Sequence, residues 1–171
     1  MKKMIVMVFC ILIGGGQSLA ACVTTVTATT PTVDFVDYGN GTVTHTKTGL
    51  LWKQCSEGLS GAGCATGVVR LYNWQSALQA VQTFNAAGGF AGFTDWRIPN
   101  IKELNSIVEN QCSNPAINAS IFPATVNSAY WSSSPYAGTA TKVWLVNFGG
   151  GTDFTDIKSG NYPVRLVRGG Q

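Results

Sequence analysis

The sequence predicts an α+β domain in which two helices pack on an irregular, mostly antiparallel sheet with long loops. Apolar residues alternate with period two before residue 53 and again after residue 129, which indicates strands in both regions. Two segments between them have helical apolar spacing, and each follows a capping residue. The 20 Gly and the charged fraction of 11% are typical of a strand- and loop-rich extracellular domain. This order of strands, helices and strands favours segregated helices over alternating βαβ units.

The first twenty residues have the features of a secretory signal peptide. Lys2 and Lys3 form a positive start, and residues 4–13 are an unbroken apolar run. Ser18 and Ala20 supply the small residues that a signal peptidase reads, and the apolar run is too short to span a bilayer as a stable helix. We therefore expect an exported protein that is secreted, periplasmic or displayed on the outer cell surface.

Charge limits the partners of the mature chain. Cleavage after Ala20 removes two of the 11 basic residues and none of the 8 acidic ones, which leaves 151 residues with a net charge of +1. Nucleic-acid binding usually needs a basic stripe, so we expect no nucleic-acid partner. No later segment is apolar enough for a membrane span. The oligomeric state stays open.

The four mature cysteines allow two interpretations of Cys22. Their even number suits disulfides in an oxidising compartment, and the close spacing of Cys55 and Cys64 favours that pair. Cys22 would then join Cys112 and close a long loop, which is worth about 4 kcal/mol in the chain-entropy model. Residues 19–22 also fit a lipoprotein box, in which Cys22 would carry lipid, although seven residues (14–20) separate the apolar run from the cut after Ala20.

After an N-terminal arm over residues 21–34, the domain is expected to span residues 35–171. Turn residues at 38–41 and 47–49 separate strands at 42–45 and 50–52, a short β-meander. His45 lies among threonines in this meander and is expected to be an exposed strand histidine. The Gly-rich stretch over residues 56–67 is expected to be a surface loop stapled by its cysteines.

Both helices are predicted from their caps and their apolar spacing. The first follows the N-cap Asn73 and stops at Gly88, with apolar positions at Trp74, Ala77, Leu78, Val81 and Phe84. The second follows Asn100, has Glu103 as its capping-box partner, and ends before Cys112.

Period two returns in the C-terminal third. Bulky residues occupy both faces of a strand over residues 143–148, which predicts a central strand. On one face Trp144, Val146 and Phe148 are assigned to the core, and a final strand is predicted over residues 164–168.

The residue inventory favours a binding protein over an enzyme. His45 is the single histidine, and Ser132-Ser133-Ser134 lacks the Gly-x-Ser-x-Gly elbow that exposes a nucleophile. Asp153 and Asp156 supply two carboxylates without a calcium-loop spacing, and the cysteines lack zinc-site spacing. We expect no catalytic residue, no metal site and no cofactor.

Residues 132–161 combine aromatic anchors with small polar residues, a mixture that recognition surfaces use. Side chains in or beside turns project from a fixed sheet, and their mixed charges favour a surface protein or a neutral glycan as the ligand. The predicted ligand-binding residues are Tyr136, Thr139, Thr141, Lys142, Asn147, Thr152, Asp153, Phe154, Thr155, Asp156, Lys158 and Asn161.

Five motifs in order carry a family resemblance over residues 35–169. They are residues 48–52, residues 72–78 with Tyr72-Asn73-Trp74, residues 92–104 with Trp96-Arg97-Ile98-Pro99, Tyr130-Trp131-Ser132-Ser133-Ser134, and residues 164–168. The series resembles the bacterial Lcl C-terminal domain family. The resemblance implies a C-type-lectin-like fold, in which Trp96-Arg97-Ile98-Pro99 and Trp131-Ser132-Ser133 are scaffold, and a role in surface adhesion or sulfated-polysaccharide recognition.

The same resemblance carries alternatives. This chain lacks collagen repeats and the motifs of calcium-dependent sugar binding, so a structural envelope protein is one alternative and an enzyme related to the formylglycine-generating fold is another. Domains similar to this one are also targets of diversity-generating retroelements, and residues 137–161 match the place where their variation falls. Residues 147–157 contain no Lys, Glu, Gln, Met or Trp, the residue types that a codon ending in a pyrimidine cannot encode. Adenine-directed mutagenesis of such codons would give this composition.

Overall fold

The computed structural model describes residues 21–169, and it shows an α+β chain built on antiparallel strands. The signal peptide predicted over residues 1–20 lies outside the described residues. Within the described part, the strands are β1 Ala21–Cys22, β2 Phe35–Asp37, β3 Thr42–His45, β4 Leu50–Lys53, β5 Leu59–Ser60, β6 Thr66–Gly67, β7 Cys112–Ser113, β8 Ala129–Pro135, β9 Lys142–Asn147, β10 Thr152–Ile157 and β11 Val167–Arg168. Strands β2, β3, β4 and β11 form a four-stranded sheet in the order β11-β4-β3-β2, while β8 to β10 form a second sheet in the order β10-β9-β8. The remaining strands form two short pairs, β1-β7 and β5-β6.

Both predicted helices form, and their predicted caps are confirmed. Helix α1 spans Trp74–Ala86, and the Asn73 side chain accepts a hydrogen bond from the Ser76 N–H at 2.8 Å. Helix α2 spans Ile101–Asn105 and begins with a full capping box between Asn100 and Glu103. Glu103 also pairs with Arg97 through two hydrogen bonds of 2.7 Å, so the capping residue holds the segment between the two helices against the start of α2.

Strand β9 lies between two hydrophobic clusters, which confirms its prediction as a central strand. Val146 and Phe148 belong to a cluster with Trp52 and Tyr130, whereas Val143 and Leu145 belong to a cluster with α1. The core assignment of Trp144 is wrong. Its side chain is half-buried and packs edge-on against Tyr136, with ring centroids 5.5 Å apart. The neighbouring strand β8 shifts its register between Trp131 and Pro135, so the regular ladder does not extend the core to Trp144.

The predicted final strand is too long. Only Val167–Arg168 form β11, while residues 164–166 are buried without strand geometry. The cause is an irregular partner segment. The Val164 carbonyl accepts from the Glu57 N–H and the Leu166 carbonyl from the Lys53 N–H, so three residues intervene on the partner side where a ladder would have one.

His45 is also misplaced by the sequence analysis, because it is buried with 3% exposure rather than exposed. Its position on β3 puts its ring on the same face as Val43, where it stacks on Phe35 at 4.7 Å between centroids. Nδ1 lies 3.2 Å from Thr48 Oγ1. Burial lowers the pKa of His45, although Asp34 acts in the opposite direction.

The N-terminal arm is packed against the domain through a buried carboxylate. Glu109 accepts hydrogen bonds from the backbone N–H groups of Thr29 at 2.9 Å, Thr30 at 2.8 Å and Gln111 at 2.9 Å, and from Thr30 Oγ1 at 3.0 Å. Thr30 is buried in this contact. Burial alone would raise the pKa of Glu109, but these hydrogen bonds outweigh it, so the pKa lies below its ordinary value.

We expect Glu109→Gln to reduce the acid sensitivity of the domain. Because the folded-state pKa is depressed, the ionised carboxylate stabilises the fold above the ordinary glutamate pKa of about 4.3, and this stabilisation is lost as the pH falls through the folded-state pKa. At pH 7 the variant should lose about 1 to 3 kcal/mol, since an amide cannot accept from all four donors. Urea unfolding at pH 7 and pH 3 checks this, and an equal acid-dependent loss in both proteins would contradict it.

Candidate functional site

The predicted ligand-binding residues lie along the β9–β10 hairpin and in the segments that precede and follow it. Strand β10 is the edge of its sheet, with Thr152 opposite Asn147 at one end and Ile157 opposite Lys142 at the other. Six strand residues extend over about 17 Å, so the candidates at the two ends cannot contact the same small ligand. A surface of this shape suits an extended or macromolecular partner.

At the turn end of the hairpin, Asn147 serves the backbone. Its Oδ1 accepts a hydrogen bond from the Gly149 N–H at 2.8 Å, and the Gly151 N–H donates to its carbonyl at 2.8 Å. Asn147 is half-buried, whereas Thr152 beside it is exposed. We therefore assign Asn147 to the turn and keep Thr152 as a contact candidate.

At the opposite end, a compact turn holds four further candidates. The Tyr136 N–H donates to the Lys142 carbonyl at 3.0 Å, and the Lys142 N–H donates to the Thr139 carbonyl at 3.0 Å. Thr141 joins the same end because its carbonyl accepts from the Lys158 N–H at 2.9 Å. Thr139 and Thr141 are exposed, while Tyr136 and Lys142 are half-buried.

Two charged candidates are held by the scaffold. Asp156 Oδ2 accepts from the Tyr162 hydroxyl at 2.6 Å and Oδ1 accepts from the Ile157 N–H at 2.7 Å. The Tyr162 hydrogen bond, with the Ile157 N–H, holds the pKa of Asp156 below its usual range. Lys158 Nζ lies 4.7 Å from the centroid of the Trp74 ring at the start of α1. Both side chains brace the end of β10 against the rest of the domain.

The exposed residues of the edge strand β10 are the candidates left for contact with a ligand. Thr152, Asp153 and Phe154 are exposed, with Phe154 at 36%, while Thr155 is half-buried. Ile157, at 48%, was not among the predicted residues; it shares a strand face with Asp153, whereas Thr152 and Phe154 lie on the opposite face, so both faces of this edge strand are exposed. Asn161 is exposed in the turn that follows. We call Thr152, Asp153, Phe154 and Ile157 the β10 strip.

A cleft of about 710 Å³ lies at the stapled loop, where no site was predicted. It lies between residues 59–64, the turn over residues 39–41, and the half-buried rings of Phe84 and Phe90, with Lys53 and Gln54 also in its lining. Four segments far apart in sequence build it. We call it the stapled-loop cleft.

Both predicted disulfides, Cys55–Cys64 and Cys22–Cys112, form. The second joins β1 to β7 at directly opposed positions and uses the sulfur that lipid attachment would need, which disfavours the lipoprotein alternative. Within residues 21–169, no helix has the length and apolar character for a membrane crossing. No three His, Cys, Asp or Glu side chains in that range converge as metal ligands would.

Comparison with known protein families identifies the family of this chain. No curated protein matches the chain. A family model described as the Lcl C-terminal domain matches residues 41–168, which include α1, α2 and strands β3 to β11. This confirms the resemblance inferred from the motifs, and the match covers most of the sequence. The chain belongs to the Lcl C-terminal domain family.

Proposed function

We propose that this protein is an exported, non-catalytic binding or adhesion module that meets a surface protein or glycan through the β10 strip. The observation that carries the proposal is the exposure of Thr152, Asp153 and Phe154 on an edge strand that pairs with β9 along its whole length. An aromatic side chain beside small polar ones, held on a rigid strand, binds with little loss of conformational entropy. We also propose that the domain has a C-type-lectin-like fold, as the family resemblance implies.

The bracing of the strip supports recognition over a purely structural role. Asp156 and Lys158 fix the end of β10 to Tyr162 and Trp74, while Asn147 fixes its turn. The exposed positions between them can therefore change identity without disturbing either hydrophobic cluster. That property suits a surface diversified by a retroelement, and a reverse transcriptase with a near-copy template beside the gene would support this finer proposal.

Export is supported by the cysteines. All four described cysteines are paired, and disulfides persist in oxidising compartments such as the periplasm or the cell exterior. We propose that the protein is secreted, periplasmic or displayed on the outer surface.

Binding should depend on Phe154. We expect Phe154→Ala to weaken partner binding by about fivefold or more, because a central aromatic anchor costs about 1 to 4 kcal/mol on truncation. The measurement is binding of purified residues 21–171 to a glycan array and to immobilised host and bacterial surface extracts, followed by titration against each purified hit.

The matched control is Phe93→Ala, which removes an equally exposed aromatic outside the strip, where Phe93 stacks with Arg168. Retained affinity in Phe154→Ala would contradict the assignment of the strip, and a loss in Phe93→Ala would then place the contact outside it.

A further inference from the structure

The stapled-loop cleft is held in shape on every side. The Cys55–Cys64 disulfide fixes one wall, and the Gln54 N–H donates to the Gly41 carbonyl at 2.9 Å on the other. Beneath the floor, the Arg165 guanidinium donates to the carbonyls of Lys53 and Gln54. A cleft whose walls are already fixed loses little conformational entropy when a ligand enters, and its size lies in the range of small-molecule sites.

The charges in this cleft are already satisfied by the protein. Lys53 Nζ lies 2.6 Å from Glu57 Oε1 and 5.3 and 5.4 Å from the ring centroids of Phe84 and Phe90. Asp37 accepts from the Gly39 N–H at 2.8 Å and from Gln54 Nε2 at 3.0 Å. These are the two charged side chains of the lining, so a charged ligand would be desolvated there without an uncommitted counter-ion.

The uncharged groups of the cleft combine an apolar surface with polar edges. Phe84 and Phe90 are half-buried and present part of their rings, while Ser60 is exposed at the margin. Asn40 Oδ1 accepts from Thr42, but within the described residues Asn40 Nδ2 donates to nothing and Gln54 Oε1 accepts from nothing. A purely apolar ligand would leave these groups unsatisfied.

We propose that the stapled-loop cleft binds a neutral saccharide, with the C–H face of one sugar ring on the phenylalanines and its hydroxyl groups on Asn40, Gln54 and Ser60. This site goes beyond the proposed function, because it is separate from the β10 strip and selects a smaller, uncharged ligand. It would also exclude sulfated polysaccharides from this cleft.

Asparagine in place of Gly63 gives a local block. Gly63 has φ 62° and ψ 16°, the left-handed region that asparagine tolerates best among residues with a side chain, and a Cβ there meets open space. Gly39, with φ 67° and equally open space, provides a second blocking variant on the opposite wall. Gly92→Asn is the matched control, since Gly92 has φ 82° and open space but does not line the cleft.

The test is to titrate sugars into ¹⁵N-labelled protein of residues 21–171 and to monitor the amide chemical shifts. The probes are N-acetylglucosamine and methyl glucoside as neutral sugars, with glucosamine and glucuronate as charged counterparts. We expect the neutral sugars to shift the signals of Asn40, Gln54 and residues 59–64, and to bind about tenfold more tightly than the charged ones. Gly63→Asn and Gly39→Asn should each weaken binding at least about tenfold, whereas Gly92→Asn and Phe154→Ala should not.

Three results would overturn the proposal: no shift in the cleft with either neutral sugar, equal binding of the charged counterparts, or unchanged affinity in both blocking variants. Phe154 belongs to the β10 strip and does not line the cleft. Loss of sugar binding in Phe154→Ala, with binding retained in the blocking variants, would therefore also reject this site. Failure of the proposed function would instead appear as unchanged partner binding in Phe154→Ala, without any effect on the sugar titration.

Discussion

Arg165→Met is expected to destabilise the folded domain by about 3 to 5 kcal/mol, because it removes the central donor of a buried polar network. Arg165 is completely buried and donates to the Lys53 and Gln54 carbonyls, to Thr125 Oγ1 at 2.6 Å and to Ser56 Oγ at 3.2 Å. Methionine fills much of the space but removes all four of these hydrogen bonds from a buried site. Urea unfolding followed by tryptophan fluorescence measures the loss.

Arg168→Met is the matched control for this prediction. Arg168 lies three residues further on, is partly exposed, and pairs with the exposed carboxylate of Asp95 at 2.7 Å. An exposed pair is worth about 0 to 1 kcal/mol. If both substitutions cost less than about 1 kcal/mol, Arg165 does not hold residues 53–56 to the C-terminal segment as its hydrogen bonds indicate.

Removing the Cys22–Cys112 disulfide with two serine substitutions is expected to cost about 4 to 5 kcal/mol. The two cysteines are 90 residues apart, so the bond restricts a large part of the unfolded chain. It also holds the N-terminal arm beside Glu109, so its loss should increase hydrogen exchange over residues 21–34. Urea unfolding and hydrogen–deuterium exchange measure the two effects.

The Cys55–Cys64 pair is the internal comparison. Its cysteines are nine residues apart, which predicts a smaller loss of about 2.5 to 3 kcal/mol when both become serine. A larger loss from the short loop than from the long one would contradict the chain-entropy argument. Binding of neutral sugars should fall only in the short-loop variant, because that disulfide forms a wall of the stapled-loop cleft.

Local signals predicted the helices, the turns and the disulfide pairing. Asn73 and Asn100 determine where α1 and α2 begin through hydrogen bonds within one turn, so three or four residues of sequence are sufficient to find them. The bulky residues on both faces of residues 143–148 likewise indicated a central strand. These features need no knowledge of distant contacts.

Long-range packing decided what could not be predicted. His45 is buried because Phe35 stacks on it, and Trp144 is half-exposed because β8 changes register nearby. Arg165 is buried because acceptors from residues 53–56 and Thr125 surround it. The stapled-loop cleft has the same origin, since its walls come from four separate segments. Seven of the twelve predicted contact residues lie on β9 and β10 and the other five in the segments beside these strands, but only their contacts distinguish bracing side chains from exposed ones.

Hydrogen–deuterium exchange on the complex with a partner recovered from the binding screen tests the central proposal most directly. We predict slower exchange over residues 152–157 and over the turn at residues 136–142, with no change over residues 39–41 or 59–64. Protection confined to the stapled-loop cleft, with residues 152–157 exchanging as fast as in the free protein, would contradict the β10 strip as the binding surface.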